Sequence, residues 1–394
     1  MFKQDFPVFQ NNPDLVFLDS AASAQKPKCV LDAMYDFYTH SYSNIHRGNC
    51  DMANEATFLY EKARQIVADF IGTTPKNIVF TSGATAALNL VVNGLEKSLT
   101  SHDEILVFVG EHHADFVPWQ QVCLRTGAQF KVIGLNADGT VNLDDFQEKL
   151  SNKTKIVALT HMSNVLGIEN PIRKIADIVH NVGAKLLVDG SQSIAHIPLN
   201  VVDLDCDYFV FSGHKLYGPT GIGVLYGKSE ALDILEPTIF GGDMVKEVGL
   251  TSTTFAEVPA RLEAGTTPFV QAHGLAKAIE YVSKIGMKKI AEYEQKLTHK
   301  LLDYLKAIPN IQILGSGQYN NGLISFNVTG IHPNDLAFVL AKQNICVRVG
   351  HHCAMPIHSC LKVPVSLRVS FGLYNDENDV EAFVQALKKA LSFF

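Results

Sequence analysis

The amino-acid sequence predicts an α/β protein in which a large domain with a mostly parallel sheet precedes a smaller α+β domain. The chain has 394 residues, which is too long for one small core and typical of two domains. From about residue 75 to 226, short apolar runs alternate with amphipathic stretches, a pattern typical of a parallel sheet covered by helices on both faces. After about residue 262 this alternation ends, which indicates a second architecture.

The first region contains seven apolar runs of strand length. The predicted strands are residues 78–81, 104–109, 130–135, 155–160, 185–189, 208–212 and 224–226. Helical patterns lie between several of them, such as residues 85–95 and residues 172–182, the latter ended by Gly183. We therefore expect a seven-stranded sheet between helices, with a ligand site beyond the carboxyl ends of its strands.

The second region begins with a long helical pattern, residues 271–308, which is broken at Gly286. The elements predicted after it are strands 311–314 and 323–328, helix 333–343, strands 345–349 and 367–371, and helix 376–394. We expect an N-terminal segment over residues 1–25, a large domain over 26–262 and a small domain over 263–394.

Composition excludes several classes of function. Hydrophobic residues make up 47% of the chain and charged residues 19%, as in ordinary globular proteins. The net charge of −7 and the lack of a basic run argue against a nucleic-acid or anionic-membrane surface. No signal peptide or membrane-spanning run is evident, and the seven cysteines form no Cys-x-x-Cys pair. These features predict a cytoplasmic protein with reduced thiols.

Lys215 is the most informative residue, because it lies between two apolar strands where a charged ammonium has little structural reason to be. A desolvated lysine is the group that forms Schiff bases. Asp189 ends an earlier strand, at the same predicted edge of the sheet. A pyridoxal phosphate enzyme needs this pair, since the lysine holds the aldehyde and the carboxylate keeps the pyridinium nitrogen protonated.

Two turns at this edge have polar residues suited to such a cofactor. Thr81-Ser82-Gly83-Ala84-Thr85 joins a strand to a helix, and a helix N-terminus there favours phosphate, although it is also an ordinary capped turn. Glu111-His112-His113 follows another strand, where an imidazole could stack on a ring and move protons, or simply lie at the surface. No metal site is predicted, because adjacent histidines point apart and no ligand cluster completes a set.

The second domain contains the segment Gly350-His351-His352-Cys353-Ala354-Met355-Pro356. A cysteine beside two histidines and near Arg348 would be favoured as the thiolate, while the alternative is a small buried apolar residue. Arg368 lies in a largely apolar strand. It would form either a salt bridge or a bidentate contact with a substrate carboxylate.

Further segments extend the set of motifs over essentially the whole chain. They include residues 18–22 (LDSAA), 44–48 (NIHRG), 160–167 (THMSNVLG), 211–223 and 263–266 (EAGT). Together with the segments above, they resemble the fold-type I pyridoxal phosphate enzymes of the class V aminotransferase family, and within it the cysteine desulfurases of the SufS-like (group II) type. The lysine segment marks the superfamily, and Gly350–Pro356 marks desulfurases with a short cysteine loop.

The resemblance implies which residues bind the cofactor. Lys215 would hold it covalently, Asp189 would contact the pyridine nitrogen, Gln192 the phenolic oxygen, and His112, with His113 as the fallback, would stack on the ring. The phosphate would be held by Ala84 (where a threonine is usual), Thr85, Ser212 and His214, and by Thr266 from the other subunit of a homodimer.

The resemblance also implies the reaction. Lys215, Cys353 and His112 would be catalytic, and Asn164 and Arg368 would bind the carboxylate of L-cysteine. Sulfur would leave L-cysteine as a persulfide on Cys353, with L-alanine as the second product. A small acceptor protein of the SufE or SufU type would then take the sulfur to iron–sulfur cluster assembly.

Other functions fit parts of the same pattern. A selenocysteine lyase would use the same scaffold with L-selenocysteine. A kynureninase-like enzyme or an aminotransferase would keep Lys215 and Asp189 but leave Gly350–Pro356 without a purpose. A catalytically inactive relative that serves as a binding partner is disfavoured because Lys215, Asp189 and Cys353 are all present.

Overall fold

The computed structural model describes residues 2–315 and 321–394. The α-helices are α1 (Pro7–Asn11), α2 (Lys28–His40), α3 (Asp51–Ile71), α4 (Ala84–Leu95), α5 (His113–Thr126), α6 (Leu143–Lys149), α7 (Ile172–Asn181), α8 (Ser193–His196), α9 (Val201–Leu204), α10 (Ser229–Asp233), α11 (Phe269–Ile285), α12 (Met287–Lys306), α13 (Pro333–Ala341), α14 (Met355–Cys360) and α15 (Glu377–Leu391). Within the described ranges, none of these helices is long and apolar enough to span a membrane.

The strands are β1 (Val16–Phe17), β2 (Ile78–Thr81), β3 (Glu104–Phe108), β4 (Gln129–Ile133), β5 (Thr154–Thr160), β6 (Lys185–Asp189), β7 (Tyr208–Ser212), β8 (Gly223–Gly227), β9 (Val245–Val248), β10 (Thr253–Phe255), β11 (Ile311–Ile313), β12 (Leu323–Val328), β13 (Ile345–Cys346), β14 (Arg348–Gly350) and β15 (Ser366–Ser370). The seven strands predicted in the first region are all present, and their ends differ from the prediction by two residues at most.

Those seven strands form one sheet in the order β2-β8-β7-β6-β5-β3-β4. The pairs from β7 to β4 are parallel, and β8 runs antiparallel to both of its neighbours. The central strands β3, β5, β6 and β7 are almost wholly buried, as parallel strands between two helical layers must be. The predicted α/β class and the mostly parallel seven-stranded sheet are confirmed.

A second sheet has the order β11-β12-β15-β14 and is antiparallel throughout. Helices α12, α13 and α15 pack on it and share its apolar core. The predicted strand 345–349 is divided, because β13 pairs in parallel with β1 whereas β14 pairs with β15. The start of the chain therefore takes part in this second, smaller α+β layer.

Helix α11 packs against α2 and α3, and its apolar face belongs to the core beside the large sheet. It lies after residue 262, on the C-terminal side of the expected domain boundary. This packing favours grouping α11 with the large layer. The division of the chain into residues 1–25, 26–262 and 263–394 stays a prediction.

Candidate active site

A cavity of about 230 Å³ lies where the carboxyl ends of β6 and β7 meet the second sheet. Ten of the twelve residues expected at the site from the sequence line it: Ala84, Thr85, His112, Asn164, Asp189, Ser212, His214, Lys215, Cys353 and Arg368. Arg348, Ser191 and His352 are among the other lining residues. The structure thus brings residues that are far apart in sequence to one enclosed space.

Lys215 ends a short 3₁₀ turn, Gly213–Lys215, directly after β7. Loss of water around its ammonium lowers the pKa of Lys215, and the nearby charge of Asp189 opposes that change. Asp189 is the last residue of β6, and its Oδ1 accepts a hydrogen bond of 2.9 Å from the backbone N–H of Ser191. A nucleophilic amine and a carboxylate therefore share the buried side of the cavity.

The cavity ends at the N-terminus of α4, which favours an anionic group. Ser212 Oγ accepts a hydrogen bond of 2.8 Å from the N–H of Ala84 and so fixes this turn to the end of β7. A Cβ on Gly223 would lie 2.4 Å from the backbone of Gly83, so this close approach requires glycine. Burial lowers the pKa of His214 to about 4, which makes its ring a neutral hydrogen-bonding group.

His112 is the N-cap of α5, and its Nδ1 accepts a hydrogen bond of 3.0 Å from the N–H of Ala114. That bond places the ring hydrogen on Nε2 in the neutral imidazole. Burial, together with the charge of Lys215, lowers the pKa of His112 to about 4. The ring is therefore neutral near pH 7, with its orientation set by the helix.

Cys353 is exposed, in contrast to the residues on the buried side. It has a φ of 55° and follows His352 with a φ of 51°, so two consecutive non-glycine residues adopt the left-handed conformation. Its carbonyl oxygen accepts a hydrogen bond of 2.6 Å from the N–H of His113, and His113 Nε2 accepts one of 3.0 Å from the N–H of Met355. The cysteine loop is thereby attached to the start of α5.

One expectation about this loop is wrong. His352 supplies no positive charge to the Cys353 thiol, because burial and the charge of Arg368 lower the pKa of His352 to about 2. Its ring is turned to Ser366, with Nε2 3.0 Å from Oγ. The backbone of His352 still contributes, since its carbonyl oxygen accepts a hydrogen bond of 2.6 Å from Asn164. Arg348 and Arg368 are cations that line the cavity together with Cys353.

Arg368 is 2% exposed and holds two acceptors. Its Nη1 donates to the Asn164 carbonyl at 2.9 Å, and its Nη2 to Asp19 Oδ1 at 3.0 Å. Arg368 lines the cavity, which places its guanidinium to meet a bound anion, and its buried Nε has no hydrogen-bond partner within residues 2–315 and 321–394. Arg348 Nε also donates to Asp19, at 3.1 Å.

The importance of Asp19 was missed from the sequence. It lies in the segment at residues 18–22, but nothing in a single sequence connects it with Arg348 and Arg368. The connection arises because Asp19 forms a parallel bridge with Ser370 at the end of β15. The presence of an acidic residue directly after a short apolar run was the only signal.

Gln192 and Thr266 do not line the cavity. The Gln192 amide is buried and donates a hydrogen bond of 2.8 Å to the Ala21 carbonyl. Thr266 lines a separate cleft together with Thr81, Ser82 and Glu263. Their expected contacts with the cofactor, in the case of Thr266 across a subunit boundary, stay predictions.

Comparison with known proteins connects this geometry with one family. A model of the family "Aminotransferase class-V" matches residues 16–383. A probable cysteine desulfurase of Halalkalibacterium halodurans is 44% identical, and the alignment covers 100% of this chain and 98% of that protein. A cysteine desulfurase of Shigella flexneri is also 44% identical, with 98% and 97% covered.

Two solved structures have the same fold as this chain over its whole length. The cysteine desulfurase CsdA from Escherichia coli superimposes with a TM-score of 0.94 at 38% identity, covering 100% of this chain and 98% of that one. An apo cysteine desulfurase from Thermococcus onnurineus NA1 gives a TM-score of 0.94 at 37% identity, with the same coverage of both chains. The chain therefore belongs to the aminotransferase class-V family.

Proposed function

We propose that this chain is a cysteine desulfurase, which converts L-cysteine to L-alanine and takes up the sulfur as a persulfide on Cys353. One observation carries the proposal: a single cavity has Lys215 and Asp189 on its buried side and Cys353 and Arg368 on the other. An aminotransferase has no use for an exposed thiol at this place. The relatives named above as cysteine desulfurases support the same assignment.

The cofactor is pyridoxal phosphate, and the cavity fits it. Lys215 would hold the cofactor covalently, because a buried amine of lowered pKa is available as a nucleophile toward an aldehyde. Asp189 would accept a hydrogen bond from the ring nitrogen. The N-terminus of α4 with Ser212 would hold the phosphate. When bound, the cofactor supplies an electron sink for the carbon next to the substrate carboxylate.

Side chains of the protein would bind the substrate, abstract its Cα proton and accept its sulfur. Arg368 would bind the carboxylate of L-cysteine through its guanidinium, which Asp19 and the Asn164 carbonyl orient. Lys215, as a neutral amine, would take the proton from Cα. The Cys353 thiolate would attack the substrate sulfur, so that an S–S bond forms while the Cβ–S bond breaks and its electron pair stays with Cβ. A proton added at Cβ, and the return of a proton to Cα from Lys215, then complete L-alanine.

His112 would act on protons at the same site. Its Nε2–H is the ring donor, because Nδ1 already accepts from the helix backbone. With a pKa lowered to about 4, the imidazole is neutral in the working pH range, so its Nε2–H would act as a hydrogen-bond donor. A hydrogen bond from this N–H would stabilise negative charge on the substrate sulfur or on the cofactor oxygen while a proton is exchanged there.

Transfer of the sulfur to a second protein extends the proposal. Hydrogen bonds from His113 and Asn164 anchor the Cys353 loop, so the thiol cannot travel far. We infer membership of the SufS-like (group II) type, in which a small cytoplasmic acceptor of the SufE or SufU type would come to the exposed Cys353 and lead the sulfur to iron–sulfur cluster assembly.

A homodimer is part of the same proposal. Large apolar side chains are exposed on α2, including Tyr35 at 68% and Tyr38 at 51%. The segment that contains β9 and β10 adds Phe240 and Leu250. Exposed apolar surface of this extent favours a second copy of the chain, which would bring Thr266 to the neighbour's phosphate. Sedimentation that shows an active monomer would contradict the dimer.

The deciding experiment measures L-alanine and sulfide from L-cysteine, with and without a thiol reductant. We expect stoichiometric alanine and sulfide with reductant, and a single turnover without it, because the persulfide then stays on Cys353. The same assay with L-selenocysteine and the Cys353→Ala variant tests the selenocysteine lyase alternative. A yellow protein that releases no alanine from L-cysteine would contradict the desulfurase assignment while leaving the cofactor assignment intact.

A further inference from the structure

Two buried carboxyl groups lie directly behind the cavity and take no part in the reaction proposed above. Glu111 precedes His112 in the chain, and Asp115 follows in the first turn of α5. Both residues are 0% exposed. A buried acidic side chain is costly unless it is neutral or paired, so each must be compensated where it lies.

Only one oxygen of each carboxyl group accepts a hydrogen bond from a backbone or side-chain N–H. Glu111 Oε1 accepts a hydrogen bond from the N–H of Thr160, and Asp115 Oδ1 accepts one of 3.0 Å from Trp119 Nε1. The other oxygens, Glu111 Oε2 and Asp115 Oδ2, have no hydrogen-bond donor among the residues that the structure describes. The two side chains are within hydrogen-bonding reach of each other. One proton between them would satisfy both remaining oxygens.

The surroundings supply a third negative group. Asp189, on β6, is the charged residue that acts on both carboxyl groups. Thr160, whose N–H binds Glu111, is paired in register with Asp189. Two ionised carboxylates in contact beside a third would repel one another strongly in this enclosed place.

We propose that Glu111 and Asp115 share one proton and act as a positioning pair, which holds the end of β5 and the start of α5 around His112 and keeps the charge behind Asp189 at a single negative unit. This inference rests on the proposed function, because it concerns the support of the same site. The pair touches neither substrate nor cofactor. Its contribution is to fix the backbone on both sides of His112 and to set the local charge.

Electrostatics support this geometry. Burial raises the pKa of both carboxyl groups well above their ordinary values, and the charge of Asp189 raises both further. The hydrogen bond between the two side chains raises the pKa of Glu111 and lowers that of Asp115. Both directions favour retention of a proton by the pair.

Substitution of each carboxyl group by an amide determines the net charge of the Glu111–Asp115 pair. With one shared proton, the pair has a charge of minus one in the wild type. Glu111→Gln and Asp115→Asn keep that charge, because the new amide donates where the proton did and the remaining carboxylate is ionised. The double variant is neutral. A pair without a proton would lose one negative charge in each single variant. A doubly protonated pair is already neutral and would lose no charge in any variant.

The readout is the pH at which the absorption of the bound cofactor changes, measured without substrate. A nearby negative charge stabilises a protonated cofactor, so its removal lowers this pH. We expect both single variants to keep the wild-type midpoint, and the double variant to fall by roughly half a pH unit or more. Glu148→Gln on the exposed face of α6 is the matched control and should not shift it. A shift in either single variant, or no shift in the double variant, would overturn the proposal.

A second measurement uses only the wild-type protein and therefore does not depend on the folding of a variant. Infrared spectra of the wild type near pH 8 should contain the carbonyl band of a protonated carboxyl group, and its absence would also overturn the proposal. Trp119 is the only tryptophan of the chain, so its emission reports whether the pocket is intact in each variant. Failure of the proposed function is distinguishable, because it would appear as a colourless protein or as absent alanine while the infrared band persists.

Discussion

The two sides of the cavity differ in almost every physical respect. The side that belongs to the large sheet is buried, with Asp189 at the end of β6 and Lys215 just after β7. Its histidines, His112 and His214, are neutral near pH 7, because burial lowers the pKa of each to about 4. The opposite side is a short loop in which Cys353 is exposed and has a left-handed backbone.

This difference matches two chemical requirements that conflict. Proton abstraction by a lysine needs a dry environment, since water would keep the amine protonated. Delivery of sulfur to another protein needs a thiol that a partner can reach. The fold separates the two tasks by placing the amine at the edge of a buried parallel sheet and the thiol on a loop of the second layer.

The largest expected effect comes from the buried side. Lys215→Ala should reduce alanine formation to background, because no other residue on that side supplies an amine for covalent attachment and proton abstraction. After borohydride treatment, mass spectrometry should find the cofactor joined to the wild-type chain at Lys215 and absent from the variant. Lys97→Ala, on the exposed surface, should behave as wild type. An active Lys215→Ala variant would remove the pyridoxal mechanism altogether.

Substitution of Cys353 on the exposed side should greatly reduce alanine formation without affecting cofactor binding. Cys353→Ser should lower alanine formation at least about a hundredfold, because a hydroxyl is a far weaker nucleophile than a thiolate near neutral pH. Its cofactor absorption should stay unchanged, since Cys353 lies on the other side of the cavity. Cys360→Ser, an exposed cysteine just beyond the same loop, is the control and should keep full activity. Equal losses of alanine formation in the two variants would contradict the assignment of Cys353, rather than Cys360, as the nucleophile.

Arg368 lies on the same side of the cavity as Cys353, and its substitution tests substrate binding. Arg368→Lys keeps the charge but loses the fixed fork of donors that Asp19 and the Asn164 carbonyl hold in place. Loss of a charged hydrogen bond of about 1.5–3 kcal/mol should raise the KM for L-cysteine roughly ten- to a hundredfold. Arg173→Lys on the exposed face of α7 should leave KM unchanged. An unchanged KM for Arg368→Lys would place the carboxylate elsewhere.

The smallest effect should come from the attachment of the loop. His113→Ala removes the acceptor for the Met355 N–H, while the backbone hydrogen bond from His113 to the Cys353 carbonyl stays. A loss of about 1 kcal/mol predicts roughly fivefold slower persulfide formation with normal cofactor absorption. Single-turnover kinetics measure this step, with His102→Ala as the exposed control. A hundredfold loss would instead make His113 a direct participant.

The sequence predicted the buried side well because its signals are local. Apolar runs and the residues that follow them place Asp189 and Lys215 at one sheet edge without any knowledge of long-range contacts. The exposed side was harder to predict. The neutrality of His352 depends on its burial against Ser366, and the role of Asp19 depends on a bridge to Ser370 at the far end of the chain. Contacts over such separations are not encoded in any pattern of neighbouring residues.

The same reasoning applies to Glu111. Its position before His112 was visible in the sequence, yet the pair with Asp115 emerges only when both oxygens without donors are seen in the folded chain. A separation of four residues across the start of α5 allows the two side chains to approach each other, but spacing alone does not distinguish a buried pair from two solvated carboxylates. Burial decides that question, and it depends on how α5 packs against β3.

The most direct test of the central claim locates the sulfur after one turnover. Wild-type protein is treated with L-cysteine without reductant, digested, and analysed by mass spectrometry. We predict one additional sulfur on the peptide that contains Cys353 and none on the peptides that contain Cys346 or Cys360. Additional sulfur on another cysteine, or alanine formed with no sulfur on the protein, would contradict the division of labour between the buried lysine and the exposed thiol.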